Sequence, residues 1–262
     1  MADISGTYQA ASSDAASLFF KGFISLESNM LHEGLKYVSR ETTGQKERFM
    51  HEDLLKRHLE LVIEANKTTN ITRISSWEDG MVLHVQDSLL GLDALNACPE
   101  GRYADIGTGA GYPGIPLAIE TGRPTLLVDS VQKKVQILDG FIEELRLDNV
   151  STYAGRIEDL GREQAGQFAA ISARALSKLS VLLELSSPLL KTSGRLICFK
   201  ALVEQDELDH ARVVGKQVGM ELVDDQTYEL DDYSRRILCY EKVAKPKLKL
   251  PRRTGLAQKK PL

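Results

Sequence analysis

The sequence predicts an α/β protein: a mostly parallel, doubly wound sheet preceded by a helical region. Three observations carry this. After Cys98 and Pro99, short hydrophobic runs alternate with longer helix-spaced stretches, as in strands joined by crossover helices. The first run ends in Asp105 and leads into glycines at alternate positions (Gly107, Gly109, Gly111), before Pro113 and Pro116 open a helix. A second run, Leu126-Leu-Val-Asp129, ends in another carboxylate.

Taken in order, residues 1–12 are small and polar, a composition that predicts disorder. Apolar residues at helical intervals predict helices over 14–39, from Glu52 onward, and over 77–94, with a polar linker at 41–46. Between the last two helices, Asn66-Lys-Thr-Thr-Asn-Ile-Thr-Arg73 is dense in turn-forming side chains. Strands are expected near 102–106, 124–129, 149–153, 168–173 and 194–200. Helices are expected near 113–121, 131–146, 178–190 and 204–218. Two final strands, near 221–229 and 235–243, are close enough to pair as an antiparallel hairpin at one edge. The domain reading is a helical region over 1–97, a Rossmann-like domain over 98–243 and a basic tail over 244–262.

Strand, glycine turn, helix, strand and acid make a nucleoside-binding unit, with Asp129 placed for the two ribose hydroxyls. The string G-x-G-x-x-G occurs at Gly109, Gly111 and Gly114, so a dinucleotide enzyme stays open on this stretch alone. Its register is poor, because its first glycine falls three residues beyond the strand. Asp105 before the first glycine suits a cofactor with a cationic amino-acid end better than a pyrophosphate, which points to S-adenosylmethionine.

Composition bounds the rest. Of 262 residues, 42% are hydrophobic and 27% charged, the balance of an ordinary globular chain. No apolar run approaches the roughly 18–20 residues that span a bilayer. The start lacks the basic region of a signal peptide. Cys98, Cys198 and Cys239 read as buried thiols, which suits a reducing cytoplasm, and the five histidines lack metal-ligand spacing. From Lys242 to Leu262 there are eight Lys or Arg and no acid, whereas the whole chain carries −4. A basic end on an acidic body points to a polyanionic partner.

Successive motifs then resemble one family. They are Asn66-Lys-Thr-Thr-Asn70-Ile-Thr72, His84-Val-Gln-Asp87-Ser88, Asp105 to Leu117, Asp129-Ser130 with Lys133-Lys134, Arg156-Ile-Glu158, Ala173-Arg174-Ala175, Phe199-Lys200, and Pro251-Arg-Arg-Thr-Gly255 with Lys260-Pro-Leu262. In this order they resemble the RsmG (GidB) family, bacterial methyltransferases acting on guanine N7 in 16S ribosomal RNA. The resemblance implies an S-adenosylmethionine-dependent methyltransferase fold: a mostly parallel seven-stranded sheet whose last strand is antiparallel. It implies that Gly107 and Tyr112 line the cofactor loop, Asp129 takes the ribose, Ile157 and Glu158 flank the adenine, and Arg174 reaches cofactor or base. His84 and Asp87, one turn apart, read as a satisfied pair holding the helical layer on the sheet.

The residues that are missing fit the same chemistry. There is no Asn-Pro-Pro-Tyr clamp for an exocyclic amine and no well-placed cysteine for a pyrimidine carbon. Guanine N7 needs neither, since it carries an accessible lone pair and loses no proton before attack. N7 lies in a groove too deep and narrow for side chains in A-form RNA, so the target should be in a loop, with its base splayed into a pocket. Lys67, Arg73, Lys200, Arg252, Arg253, Lys259 and Lys260 are the candidate phosphate contacts. The tail is read as separable: its loss should weaken RNA binding and leave cofactor affinity nearly unchanged. The resemblance implies 16S rRNA, the small subunit or an assembly intermediate as the partner, and the protein is expected to be monomeric. A methyltransferase for another substrate, or a non-catalytic ribosome-assembly binder, is the alternative.

Overall fold

The computed structural model describes the backbone over residues 45–262, with side chains from 51 onward. The helix expected over 14–39 lies outside these residues. The first described helix, α1 (Gln45–Asn66), starts earlier than expected and takes in the end of the predicted linker. It buries Leu55, Leu59 and Val62 along one stripe, with His58 on the same side. This stripe lies over α5 (Gly114–Thr121) and α6 (Gln132–Leu145), so the helical layer sits beside the glycine turn.

The helix expected over 77–94 is interrupted. Ser76 caps α2 (Trp77–Gly80) by accepting from Asp79 N at 3.1 Å. The chain then widens to a π-helix over Met81–Gln86 before α3 (Asp87–Leu89) and α4 (Leu92–Asn96). The break falls at Gly91, where a Cβ would lie 2.3 Å from the Phe199 ring. Periodicity alone does not report either feature, because both arise from what the helix packs against.

The sheet follows the expected topology. β1 (Tyr103–Ile106), β2 (Thr125–Asp129), β3 (Val150–Ala154), β4 (Phe168–Arg174) and β5 (Leu190–Lys200) are parallel. β6 (Met220–Leu230) and β7 (Tyr233–Lys242) form the antiparallel hairpin, and the order is β3-β2-β1-β4-β5-β7-β6. Strand order reverses between β1 and β4, and ligands of such sheets bind above the carboxyl ends at that point. The crossovers α7 (Ile157–Glu163), α8 (Leu179–Ser186) and α9 (Gln205–Val218) complete the layers, α7 being a short helix absent from the sequence reading. Each β1 and β2 residue is buried, as a strand covered on both faces requires.

Residues 244–262 do not behave as a separable tail. Leu248, Leu250 and Leu262 pack on the main core, and Ala257 of α10 (Leu256–Lys259) is buried with Val181 and Leu185. Arg252 makes a two-pronged ion pair with the buried Glu184, at 2.7 and 2.6 Å. Gly255 N donates to Glu158 Oε1 at 2.6 Å, and Arg162 donates to Arg252 O and Thr254 Oγ1. The basic count of this segment pointed to a polyanionic partner and a separable tail, but its apolar residues and paired charges bind it to α7 and α8.

Two stability measurements test these contacts. Gly114→Ala puts a methyl 2.4 Å from Leu127 Cδ2, and urea unfolding should show a loss of about 1–3 kcal/mol. Arg252→Ala strands the Glu184 carboxylate in the core, and should cost about 3–5 kcal/mol by the same method.

Candidate functional site

The glycine turn is built from main-chain hydrogen bonds. Gly107 N and Thr108 N both donate to Val128 O, at 2.8 and 3.1 Å, which fastens the end of β1 to β2. Gly107, Gly109 and Gly111 have φ of +73°, +62° and +90°, a region other residues enter only with strain. Gly109 N donates to Asp129 Oδ2 at 3.2 Å, and Val131 N donates to Asp129 Oδ1 at 2.9 Å. The turn and the acid of β2 are therefore direct neighbours above the first two strands. Val131, next to them, leaves an apolar side chain 47% exposed on this rim.

Asp105 differs from its expected place. It is wholly buried, and its carboxylate accepts from Gly114 N at 3.0 Å and from Ser172 Oγ at 2.5 Å. Burial raises its pKa. Asp105 thus ties the start of α5 to β1 and β4 and does not face a ligand. Gly114, third glycine of the string whose register looked poor, is where helix and strand approach most closely, against Leu127 and Asp105.

Tyr112 also lies deeper than a loop-lining residue. Its ring sits between His58 and His84, with centroids 4.4 Å from each and the His84 ring stacked nearly parallel at 8°. His58 bonds Ala110 O in the turn at 3.1 Å through Nε2. Burial raises the Tyr112 pKa and lowers that of His58 to about 3. His84 falls to about 3 from burial first and the Arg174 charge second. Its tautomer follows from its partners: Arg174 Nη2 can only donate to Nδ1, at 3.2 Å, so the proton sits on Nε2 and is given to Thr72 Oγ1 at 2.9 Å. Thr72 is set in turn by Asn66, whose Oδ1 accepts from Ile71 N and Thr72 N.

Arg174, at the tip of β4, is the hub. Nη1 donates to Leu83 O at 3.0 Å and to Asp87 Oδ2 at 2.7 Å, and the guanidinium carbon lies 5.6 Å from the Tyr112 ring centre. Asp87 also accepts from Arg235 Nε at 2.6 Å. His84 and Asp87 therefore do hold helix to sheet, but each does so through Arg174 and not by pairing with the other. Arg235 went unnoticed in the sequence because it follows no motif; only the β5–β7 pairing brings it to this rim. Beside these groups is a cavity of about 440 Å³ whose lining includes Leu83, Asp87, Arg174, Leu182, Lys200 and Arg235.

On the far side of the rim, Ile157 packs with Val181, Leu185 and Ala257, while Glu158 is buried and held by Gly255 N. The expected phosphate contacts divide into two groups. Lys200 is committed to Glu207 at 2.8 Å and Ser177 O at 3.0 Å, Lys67 pairs with Glu64, and Arg252 is held by Glu184. Arg73, Arg253, Lys259 and Lys260 have exposed side chains. Among the described residues no group of three or more His, Cys, Asp or Glu is placed to hold a metal ion, and no helix is long and apolar enough to cross a membrane. All three cysteines are free and buried, as expected.

A seven-stranded sheet of this order, with a glycine turn hydrogen-bonded to the acid of the next strand, defines a Rossmann-like methyltransferase fold. A solved Galdieria sulphuraria structure assigned as a sarcosine dimethylglycine methyltransferase shares it, with a TM-score of 0.50 at 10% identity over 61% of this chain and 86% of that one. The family model GidB, described as rRNA small subunit methyltransferase G, matches residues 51–227. A Carboxydothermus hydrogenoformans protein named Ribosomal RNA small subunit methyltransferase G is 37% identical over 219 residues, 80% of this chain and 91% of that one. A Streptococcus equi subsp. zooepidemicus protein of the same name is 34% identical over 226 residues, covering 84% and 93%. The chain belongs to the rRNA small subunit methyltransferase G family.

The neutral histidines set a pH dependence. Each has its folded pKa below the ordinary 6.5, so the unfolded chain takes up protons first as pH falls. Their contribution is complete above pH 6.5 and is lost from there toward about 3, at up to about 1.4 kcal/mol per histidine per pH unit. Urea unfolding across this range should show the slope, and His58→Gln should lower it by close to one proton.

Proposed function

We propose that the protein transfers a methyl group from S-adenosylmethionine to N7 of a guanine in 16S ribosomal RNA of the small subunit. The observation that carries the cofactor half is the junction of Gly109 N with Asp129 Oδ2, at 3.2 Å above β1 and β2. Asp129 would exchange part of its hold on the turn for the ribose hydroxyls, and the exposed side of Val131 would meet the adenine. Gly107 would let the cofactor approach the turn closely, since a Cβ there would already strike Leu176 at 2.7 Å. Ile157 and Glu158 would close the adenine side, and Arg174 would orient the reacting groups.

When bound, S-adenosylmethionine supplies an electrophilic methyl group on a cationic sulfur. The chain supplies alignment, which can be worth up to about 7–11 kcal/mol. No general base is required, and the two candidates among the described residues of the cavity are engaged: His84 is a neutral, fully occupied imidazole, and Asp87 holds two guanidiniums. Gly109, Asp129 and Val131 would hold the donor and Arg174 would orient the base, so that guanine N7 would take the methyl group in line, without a covalent enzyme intermediate. Exposed Arg73, Arg253, Lys259 and Lys260 are the cations free to meet rRNA phosphates. Because Gly255 holds Glu158, losing the C-terminal segment would reach the cofactor site too. A monomer in the cytoplasm, where three buried thiols stay reduced, completes the reading.

Asp129→Ala should weaken S-adenosylmethionine binding by more than about tenfold in calorimetry. Mass spectrometry of 16S rRNA from cells with and without the protein should show one N7-methylguanosine lost. Absence of cofactor binding by the wild type would instead support a non-catalytic binder.

A further inference from the structure

The cavity beside Arg174 offers more than a position for a base; its donors are unequally engaged. Arg174 is held by Leu83 O, Asp87 and His84, and Lys200 by Ser177 O and Glu207. Arg235 differs from Arg174 at its terminal nitrogens, both of which are engaged in Arg174. Its Nε donates to Asp87 Oδ1 at 2.6 Å and its Nη1 to Ser234 O at 3.1 Å, while Nη2 makes no hydrogen bond among the described residues. The side chain is 17% exposed and stacks over Tyr233, 5.1 Å from the ring centre. It is a fixed guanidinium with one unused nitrogen, lining a cavity of about 440 Å³ that also carries Leu83, Leu182 and Ile74. That combination of apolar walls and a few directed polar groups suits a flat heterocycle.

Resting on the guanine-N7 reading above, we propose that Arg235 reads the target base, donating from Nη2 to guanine O6. O6 lies beside N7 on the same edge, and adenine presents an amino donor there instead, which an arginine repels. A contact to O6 alone leaves the N7 lone pair free for the methyl group. Asp87 is the positioning residue: one carboxylate fixes Arg174 and Arg235 together, at 2.7 and 2.6 Å. A phosphate in this cavity would face the same cation but would have to be stripped of water against apolar walls.

The test compares methyl transfer to 16S rRNA carrying guanine or 2-aminopurine at the methylated position, naked or in the small subunit, whichever the wild type accepts. 2-Aminopurine keeps N7 and lacks O6. Wild type should prefer guanine by about tenfold or more in kcat/KM, and Arg235→Met, which has no donor, should reduce the preference to about twofold at unchanged S-adenosylmethionine affinity. Equal preference in wild type and variant, or no preference in wild type, overturns the role of Arg235 and leaves the reaction standing. Failure of wild type to methylate the guanine RNA overturns the reaction itself. Should Arg235→Met be inactive, Arg235→Ala removes the same donor with a smaller side chain: a reduced preference supports the contact, and a full wild-type preference overturns it.

Discussion

The carboxylate of Asp105 is the constraint on which the rest of the rim depends. It has no exposed surface, yet it joins three elements: its own strand β1, Ser172 of β4, and the amide of Gly114 where α5 begins. Burying a carboxylate is unfavourable unless hydrogen bonds replace water, and here each oxygen has one. Because the bond to Gly114 fixes where the helix starts, the eight residues between must fold back as a tight turn. That turn puts Gly109 against Asp129. Removing the buried acid would leave only the Gly114–Leu127 packing and the amide bonds to Val128 O to set the separation of helix and strand that makes the crevice.

The other buried acids follow the same logic. Asp87 gathers Arg174 and Arg235, Glu184 takes Arg252, and Glu158 takes the amide of Gly255. Each joins segments distant in sequence at the carboxyl end of the sheet or just behind it. Buried ion pairs add little net stability when both partners are counted, but they penalise misplacement of either one. They serve here as register marks, fixing which arginine lies beside which strand.

Much of this was legible in the sequence, for physical reasons that can be named. β1, β2 and β4 are largely apolar runs because both of their faces are covered. Asp129 was legible because acid, strand end and glycine turn are all local features. Asp105 was found but misplaced: the sequence shows an acid near a ligand loop and cannot show that Ser172 encloses it. The basic stretch 244–262 was misjudged as free because charge is read locally, whereas Glu158 and Glu184 lie far back in the chain. Arg235 was missed altogether, since its neighbours at the rim come from pairing across the sheet.

The widened helix at Met81–Gln86 has its own consequence. A π segment holds one more residue than the α-helical path it replaces. Within it lies His84, and directly after it Asp87, the two side chains that meet Arg174 from this layer. Their aim is therefore set by a count of residues as well as by identity. A homologous chain with the same letters but one fewer position before Asp87 would keep a regular helix and rotate that carboxylate away from the sheet.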